Sequence, residues 1–173
     1  MNNHIVIALP QSNADIIWYA AWSSLLSGIC ALSNTDTSHF AVVPISVLIT
    51  SLNYWSNPVI GSWNQTLDIT VVACGLLYQT YYAFYYYGYY YYYDSNQYYG
   101  CIQYRGSIYY RKYLELYLYF IGLSLICYIM GHIFYQYQYM WLSTYAHASI
   151  HIVANMANIA LYTGVNNGNK MIL

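Results

Sequence analysis

Long runs of mostly apolar residues with almost no charges, separated by short polar stretches, dominate the chain. The runs cover residues 16–32, 40–55, 115–134 and 140–163. Each is close to the length that an α-helix needs to cross the roughly 30 Å hydrocarbon core of a bilayer. Another helix is predicted to begin at Thr66-Leu67-Asp68 and to continue through Leu77, after a turn-rich connection. The pattern therefore predicts five helices.

Polar and aromatic residues beside these runs predict where the helices end. The polar stretch 33–38 ends the first run, and the pair Tyr54-Trp55 that closes the second is typical of an aromatic belt at a membrane interface. The sequence Gly164-Val165-Asn166-Asn167-Gly168 is rich in turn-forming residues. We therefore expect the last helix to stop at Thr163.

The segment 78–112 is of low complexity and rich in tyrosine, with an unbroken run from Tyr89 to Tyr93. Aromatic residues at almost every position fit both a helical and a strand repeat, so periodicity does not assign this segment. Three interpretations are open: a repeat expansion that the fold tolerates, a surface for stacking rings or sugars, and an aggregation-prone stretch. Two short helices within it would raise the helix count to seven.

The amino-acid composition indicates whether the surface of the protein faces water or lipid. Of the 173 residues 60% are hydrophobic and only 5% are charged, with a formal net charge of −1. A soluble domain carries about a quarter charged residues, and nucleic-acid binding needs a basic surface, so both classes are excluded. We expect an all-α, polytopic transmembrane helix bundle that forms a single integral membrane domain over residues 1–173. Its partners would be membrane lipids, and homo- or hetero-oligomers are compatible with its many aromatic residues.

The few basic residues predict the orientation in the membrane. Arg105, Arg111 and Lys112 lie in one connection, and Lys170 lies in the C-terminal tail. The positive-inside rule assigns both segments to the cytoplasmic side. The C-terminus is then cytoplasmic and the N-terminus is on the opposite side. The identity of the membrane is left open.

Four ionisable residues lie in or at the edge of the predicted spans and are candidates for chemistry: Asp68, His132, His147 and His151. An ionised side chain inside a bilayer costs roughly 2.5–3.5 kcal/mol on insertion scales, so it is a functional-site hypothesis by default. His147 and His151 are four residues apart, on one helix face, from which two imidazoles can reach one metal ion. Asp68 could add an oxygen ligand, and Ser51 or Asn53 a hydroxyl or amide. The alternatives are histidines that hydrogen-bond across the bundle and an aspartate that favours a helix N-terminus.

These residues occur in an order that resembles the CREST superfamily of multi-pass membrane hydrolases, which includes alkaline ceramidases and the adiponectin and progestin receptor family. In those families a serine and a histidine end the second helix, an aspartate opens the third, and H-x-x-x-H lies in the seventh. Ser51, Leu67-Asp68-Ile69 and His147-Ala148-Ser149-Ile150-His151 occupy similar places here. The chain departs from the pattern at Trp55, where the family has histidine. The segment from Tyr54 to Asp68 also resembles short multi-spanning proteins of giant DNA viruses.

The resemblance implies a zinc ion bound by Asp68, His147 and His151, and a metal-bound water that attacks an amide or ester bond of a lipid. Ser51 or Asn53 would then stabilise the developing oxyanion. A second hypothesis is a non-enzymatic structural or assembly protein of an organellar or viral membrane, in which the histidines join helices. A transporter with a proton relay is a third, although no inverted repeat is visible in the sequence.

Overall fold

Most of the described part of the chain is helical. The computed structural model describes the backbone of residues 7–96 and 105–172 and the side chains of residues 7–89 and 110–168. The helices there are α1 (Gln11–Ala21), α2 (Ser23–Leu32), a 3-10 turn (Ser38–Ala41), α3 (Val42–Trp55), α4 (Trp63–Asn96), α5 (Arg105–Gln136) and α6 (Met140–Ile172). Within the described ranges, β-structure is limited to one isolated bridge, between Ile7 and Val59. The all-α class is confirmed, as are five helices when α1 and α2 count as one.

The first helix is longer than the apolar run predicts. It begins five residues earlier, after Pro10, and it is interrupted at Trp22. The backbone of Trp22 keeps right-handed helical angles (φ −62°, ψ −18°), and its carbonyl accepts a hydrogen bond from the Leu25 amide at 3.0 Å. Such a three-residue hydrogen bond tightens one turn without ending the helix. Residues 11–32 therefore form one rod with a local irregularity.

The tyrosine-rich segment forms no separate helices in its described part. Residues 78–96 belong to α4 and residues 105–112 to α5, so the two additional short helices are not found there. Of the tyrosine run 89–93, only the side chain of Tyr89 is among the described residues. The helical period becomes visible in burial: Tyr78, Tyr82 and Tyr86 pack against the core, whereas Tyr81 and Tyr85 are exposed.

The expectation that the last helix ends at Thr163 was wrong, because α6 continues to Ile172. Gly164 does not adopt the left-handed backbone of a helix end; among the described residues only Gly61 and Gln138 have a positive φ. A Cβ atom on Gly164 would lie 2.6 Å from Tyr113 Cβ, so the missing side chain lets α6 approach α5 closely. Packing against α5 therefore decides this glycine's conformation, in preference to its local tendency to form a turn.

The helices alternate in direction. Gly131 of α5 faces His147 of α6, and Gly164 faces Tyr113, so α5 and α6 form a long antiparallel pair. The rod α1–α2 runs parallel to α6, since Asn13 contacts Thr144 and Ser27 contacts Asn155. The α3–α4 loop and the α5–α6 loop thus lie at one end of the bundle, together with the start of α1.

Aromatic side chains form much of the core, and the buried tyrosine hydroxyl groups among them are hydrogen-bonded. Phe40 stacks on Tyr162 with ring centroids 5.4 Å apart, and the Tyr162 hydroxyl accepts a 2.7 Å hydrogen bond from Gln79 Nε2. The buried Tyr110 hydroxyl donates to the Ala83 carbonyl at 2.9 Å. A phenol buried with its hydroxyl bonded contributes apolar area without leaving an unpaired polar group. These contacts join α4, α5 and α6 at the end of the bundle opposite the α5–α6 loop.

Among the described residues, two segments are long and apolar enough to cross a membrane: Gln11–Leu32, with 22 residues, and Tyr110–Gln136, with 27. Only 33% and 17% of their apolar windows are buried within the fold. A core helix of a soluble domain would be buried over most of its length. The outer surface of both segments carries leucine, isoleucine and aromatic side chains, among them Leu26, Ile29 and Ile126, each more than half exposed.

Candidate polar site at the amino-terminal end of the bundle

Ser51 and Asp68 meet between α3 and α4. Ser51 Oγ donates a 2.7 Å hydrogen bond to Asp68 Oδ1, and Thr50 Oγ1 donates a second bond of 2.8 Å to the same oxygen. Ser51 is fully buried at the last turns of α3, and Asp68 lies in the second turn of α4. The carboxyl group is thus half-buried and bonded to its neighbour helix. The alternative of an aspartate that is merely solvated at a helix N-terminus does not describe it.

His147 lies against an aromatic wall. Its ring packs edge-on against Trp55 at 6.0 Å between centroids and against Tyr128 at 6.5 Å. Nδ1 lies 3.1 Å from the Ser143 carbonyl oxygen, a contact that requires the proton on Nδ1. Trp55 is buried one turn after Ser51 and occupies the position at which the CREST pattern has histidine. An indole donates only through its N–H and offers no metal-binding lone pair.

His151 lies one turn further along α6, next to a set of small polar residues. Its carbonyl accepts bonds from Ser23 Oγ at 3.2 Å and from Asn155 Nδ2 at 2.6 Å. Among the described residues, no three histidine, cysteine, aspartate or glutamate side chains lie together in a way that could hold a metal ion. The predicted ligand set Asp68, His147 and His151 is therefore not gathered around one point in this arrangement.

Asn53 does not join this cluster. It is exposed on α3, roughly 200° around the helix from the buried Ser51 at 100° per residue. No hydrogen bond recorded for the described residues connects its side chain to Asp68. His132, another histidine of the predicted spans, is also exposed and lies 3.0 Å from Gln136 Nε2 on its own helix. The structure therefore brings together Ser51 with Asp68 and Trp55 with His147, and it separates Asn53 from them.

The polar residue that makes most interhelical hydrogen bonds in α6, Asn155, was not a sequence candidate. Asn155 Nδ2 lies 3.0 Å from Ser23 Oγ and 3.0 Å from Ser24 Oγ, and Asn155 Oδ1 accepts a 2.5 Å bond from Ser27 Oγ. Together they bind α2 to α6 through buried side chains. The sequence did contain a signal for this interhelical contact. One apolar run has serines three and four residues apart, and another apolar run contains the asparagine.

Comparison with known proteins adds no relative. No protein-family model, no curated protein and no solved structure matches this chain. The arguments about its function therefore depend on its own residues.

Proposed function

We propose that this chain is a multi-pass α-helical membrane protein with a structural or assembly role in its membrane. The observation that carries the proposal is the inverted distribution of polarity. Apolar side chains cover the outside of two segments of membrane-spanning length, while serine, threonine and asparagine side chains pair inside the bundle. Helices in lipid associate through close packing and such hydrogen bonds, because lipid supplies no hydrophobic force between them.

The length of α5 and the position of its charged residues fit one crossing. The 21 residues from Leu116 to Gln136 span about 31 Å at 1.5 Å per residue, which matches the hydrocarbon core. The preceding turns of α5 carry an exposed ion pair, in which Arg111 Nε donates to Glu115 Oε1 at 2.9 Å. They would project beyond the lipid on the cytoplasmic side. Lys170, near the end of the antiparallel α6, would reach the same side.

Cysteine labelling tests insertion and orientation together. In a variant whose four native cysteines are replaced by serine, we expect Ser56→Cys to react with a membrane-impermeant maleimide in sealed right-side-out vesicles. Lys112→Cys is expected to react only after the vesicles are permeabilised. Both side chains are exposed in the fold, so accessibility within the protein is matched. Equal labelling of both in sealed vesicles would contradict a membrane between them, and the reverse pattern would contradict the orientation.

A second candidate function is the zinc-dependent lipid hydrolase of the CREST type. The observation that favours it is the adjacency of Ser51 with Asp68 and of Trp55 with His147, four positions that the family's pattern also uses. For this function the helices would have to shift so that Asp68, His147 and His151 converge on one ion, within about 2 Å of each ligand atom. Ser51 or Asn53 would then assist at the substrate carbonyl.

Zinc content separates the two candidates. Under the structural proposal, the detergent-purified protein contains no zinc above the level of a His147→Ala/His151→Ala variant, as measured by elemental mass spectrometry. The hydrolase would contain near-stoichiometric zinc that the double variant loses. Trp55→His is the informative third sample, because it supplies the imidazole that the pattern lacks. Zinc gained only by Trp55→His would indicate a CREST-like arrangement that has lost its metal, whereas zinc in the unmodified protein would contradict the structural proposal.

A further inference from the structure

An open cleft of about 370 Å³ lies at the start of α1, next to the turn that follows α3. Gln11, Asp15, Trp18 and Tyr19 line it from α1, and Ser56 lines it from the end of α3. Three of these α1 residues, at positions 11, 15 and 18, recur at helical spacing and therefore share one face. The volume is in the range of small-ligand sites.

The walls of the cleft are two aromatic rings at a right angle. The ring centroids of Trp18 and Tyr19 are 5.2 Å apart with an interplanar angle of 88°, and Trp22 packs edge-on against Trp18 at 5.7 Å. In an edge-to-face pair the edge of one ring covers the centre of the other, so a cation can reach only the parts of the faces beside the contact. Aromatic faces carry negative electrostatic potential, so these parts attract a cation.

Asp15 adds a full negative charge to the same cleft. Gln11 Nε2 donates a 2.9 Å hydrogen bond to Asp15 Oδ1, which orients the carboxylate from one side. No lysine or arginine occurs before Arg105 in the chain. Lys170 lies on α6, 26 positions beyond the contact of Thr144 with Asn13, or roughly 39 Å along the helix axis. The lysine and arginine side chains that the structure describes, Arg111 and Lys112, lie near the start of α5, at the opposite end of the bundle from Asp15.

We propose that this cleft binds a quaternary ammonium group, with Asp15 as the counter-charge and Trp18 and Tyr19 as the cation–π walls. The rings favour a weakly hydrated, alkylated cation over a small metal ion, which would require several oxygen ligands. Such a group is presented by the choline headgroup of a membrane lipid and by free choline-like amines. The cleft is at the end of the apolar segment Gln11–Leu32, where a lipid headgroup would lie if that segment spans the membrane.

Binding of tetramethylammonium to the full chain in a maltoside detergent, followed by saturation-transfer NMR of its methyl protons, tests the site. We expect saturable binding that sodium does not compete away, and a loss of affinity of about tenfold or more in Asp15→Asn and in Trp18→Leu. Asp36→Asn is the matched control, since Asp36 is an exposed aspartate in the connection after α2, and it should bind as the unmodified protein does. Non-saturable binding, or equal affinity in Asp15→Asn, would overturn the proposal.

The two sources of the ligand are distinguished in lipid nanodiscs. In discs of phosphatidylglycerol, tetramethylammonium should bind as in detergent. Displacement of that binding in discs of phosphatidylcholine with the same acyl chains identifies the lipid headgroup, and unchanged binding in both identifies a soluble amine. The detergent experiment does not depend on membrane insertion, so its failure would leave the proposed multi-pass arrangement standing. Failure of the labelling experiment would likewise leave the cleft testable.

Discussion

Gly164→Ala is expected to lower the free energy of unfolding by about 1–3 kcal/mol, the usual cost of adding a methyl group to a tightly packed contact. The new Cβ would lie 2.6 Å from Tyr113 Cβ and 3.1 Å from Tyr113 Cγ. Because Tyr113 Cβ is next to the backbone, rotation of the ring does not relieve the contact and α5 must move away from α6. Unfolding in mixed detergent micelles, followed by circular dichroism, measures the change.

Gly122→Ala is the matched control for that substitution. Gly122 also lies within a long helix, but a Cβ there would meet nothing within 4 Å. The substitution should raise the free energy of unfolding by about 0.5–1 kcal/mol, because alanine has the higher helix propensity. Opposite signs at the two glycines are the expected result. Equal stabilisation at both would show that α5 and α6 do not approach each other closely at Gly164.

Asn155→Leu is expected to destabilise the bundle by about 2 kcal/mol, because it removes the hydrogen bonds that connect α6 to α2 and leaves buried hydroxyl groups with fewer partners. Leucine has the same number of side-chain heavy atoms as asparagine and is not smaller, so loss of volume does not explain the effect. The same unfolding measurement applies. A double-mutant cycle with Ser27→Ala should give a coupling energy of about 0.6–1.7 kcal/mol for the Ser27–Asn155 pair.

Asn158→Leu serves as the comparison on the same helix. Asn158 is also buried, but its recorded bond is a long contact of 3.5 Å from Nδ2 to Asn155 Oδ1. We expect it to cost clearly less than Asn155→Leu. Equal losses at both positions, or no coupling between Ser27 and Asn155, would contradict the role of Asn155 as the main polar contact between α2 and α6.

Part of the candidate site was predictable because helix periodicity and helix order place residues at an end of a bundle. Alternating directions bring the end of α3, the start of α4 and the first half of α6 to one end, as the positions of Ser51, Asp68 and His147 in the sequence suggested. What those side chains contact was not predictable. Trp55 fills the space beside His147, and Asp68 is held by two hydroxyl groups, because side-chain packing depends on residues distant in sequence.

The sequence by itself determined the all-α class of this protein, because long apolar runs separated by short polar stretches predict helices. The apolar run 115–134 also placed the end of α5 within two residues of Gln136, where the helix stops. Only the tertiary structure decided which tyrosines face the core, since a ring at every position carries no period. It also decided that Gly164 continues a helix, because the free energy of close packing against Tyr113 exceeds a local preference that is small per residue.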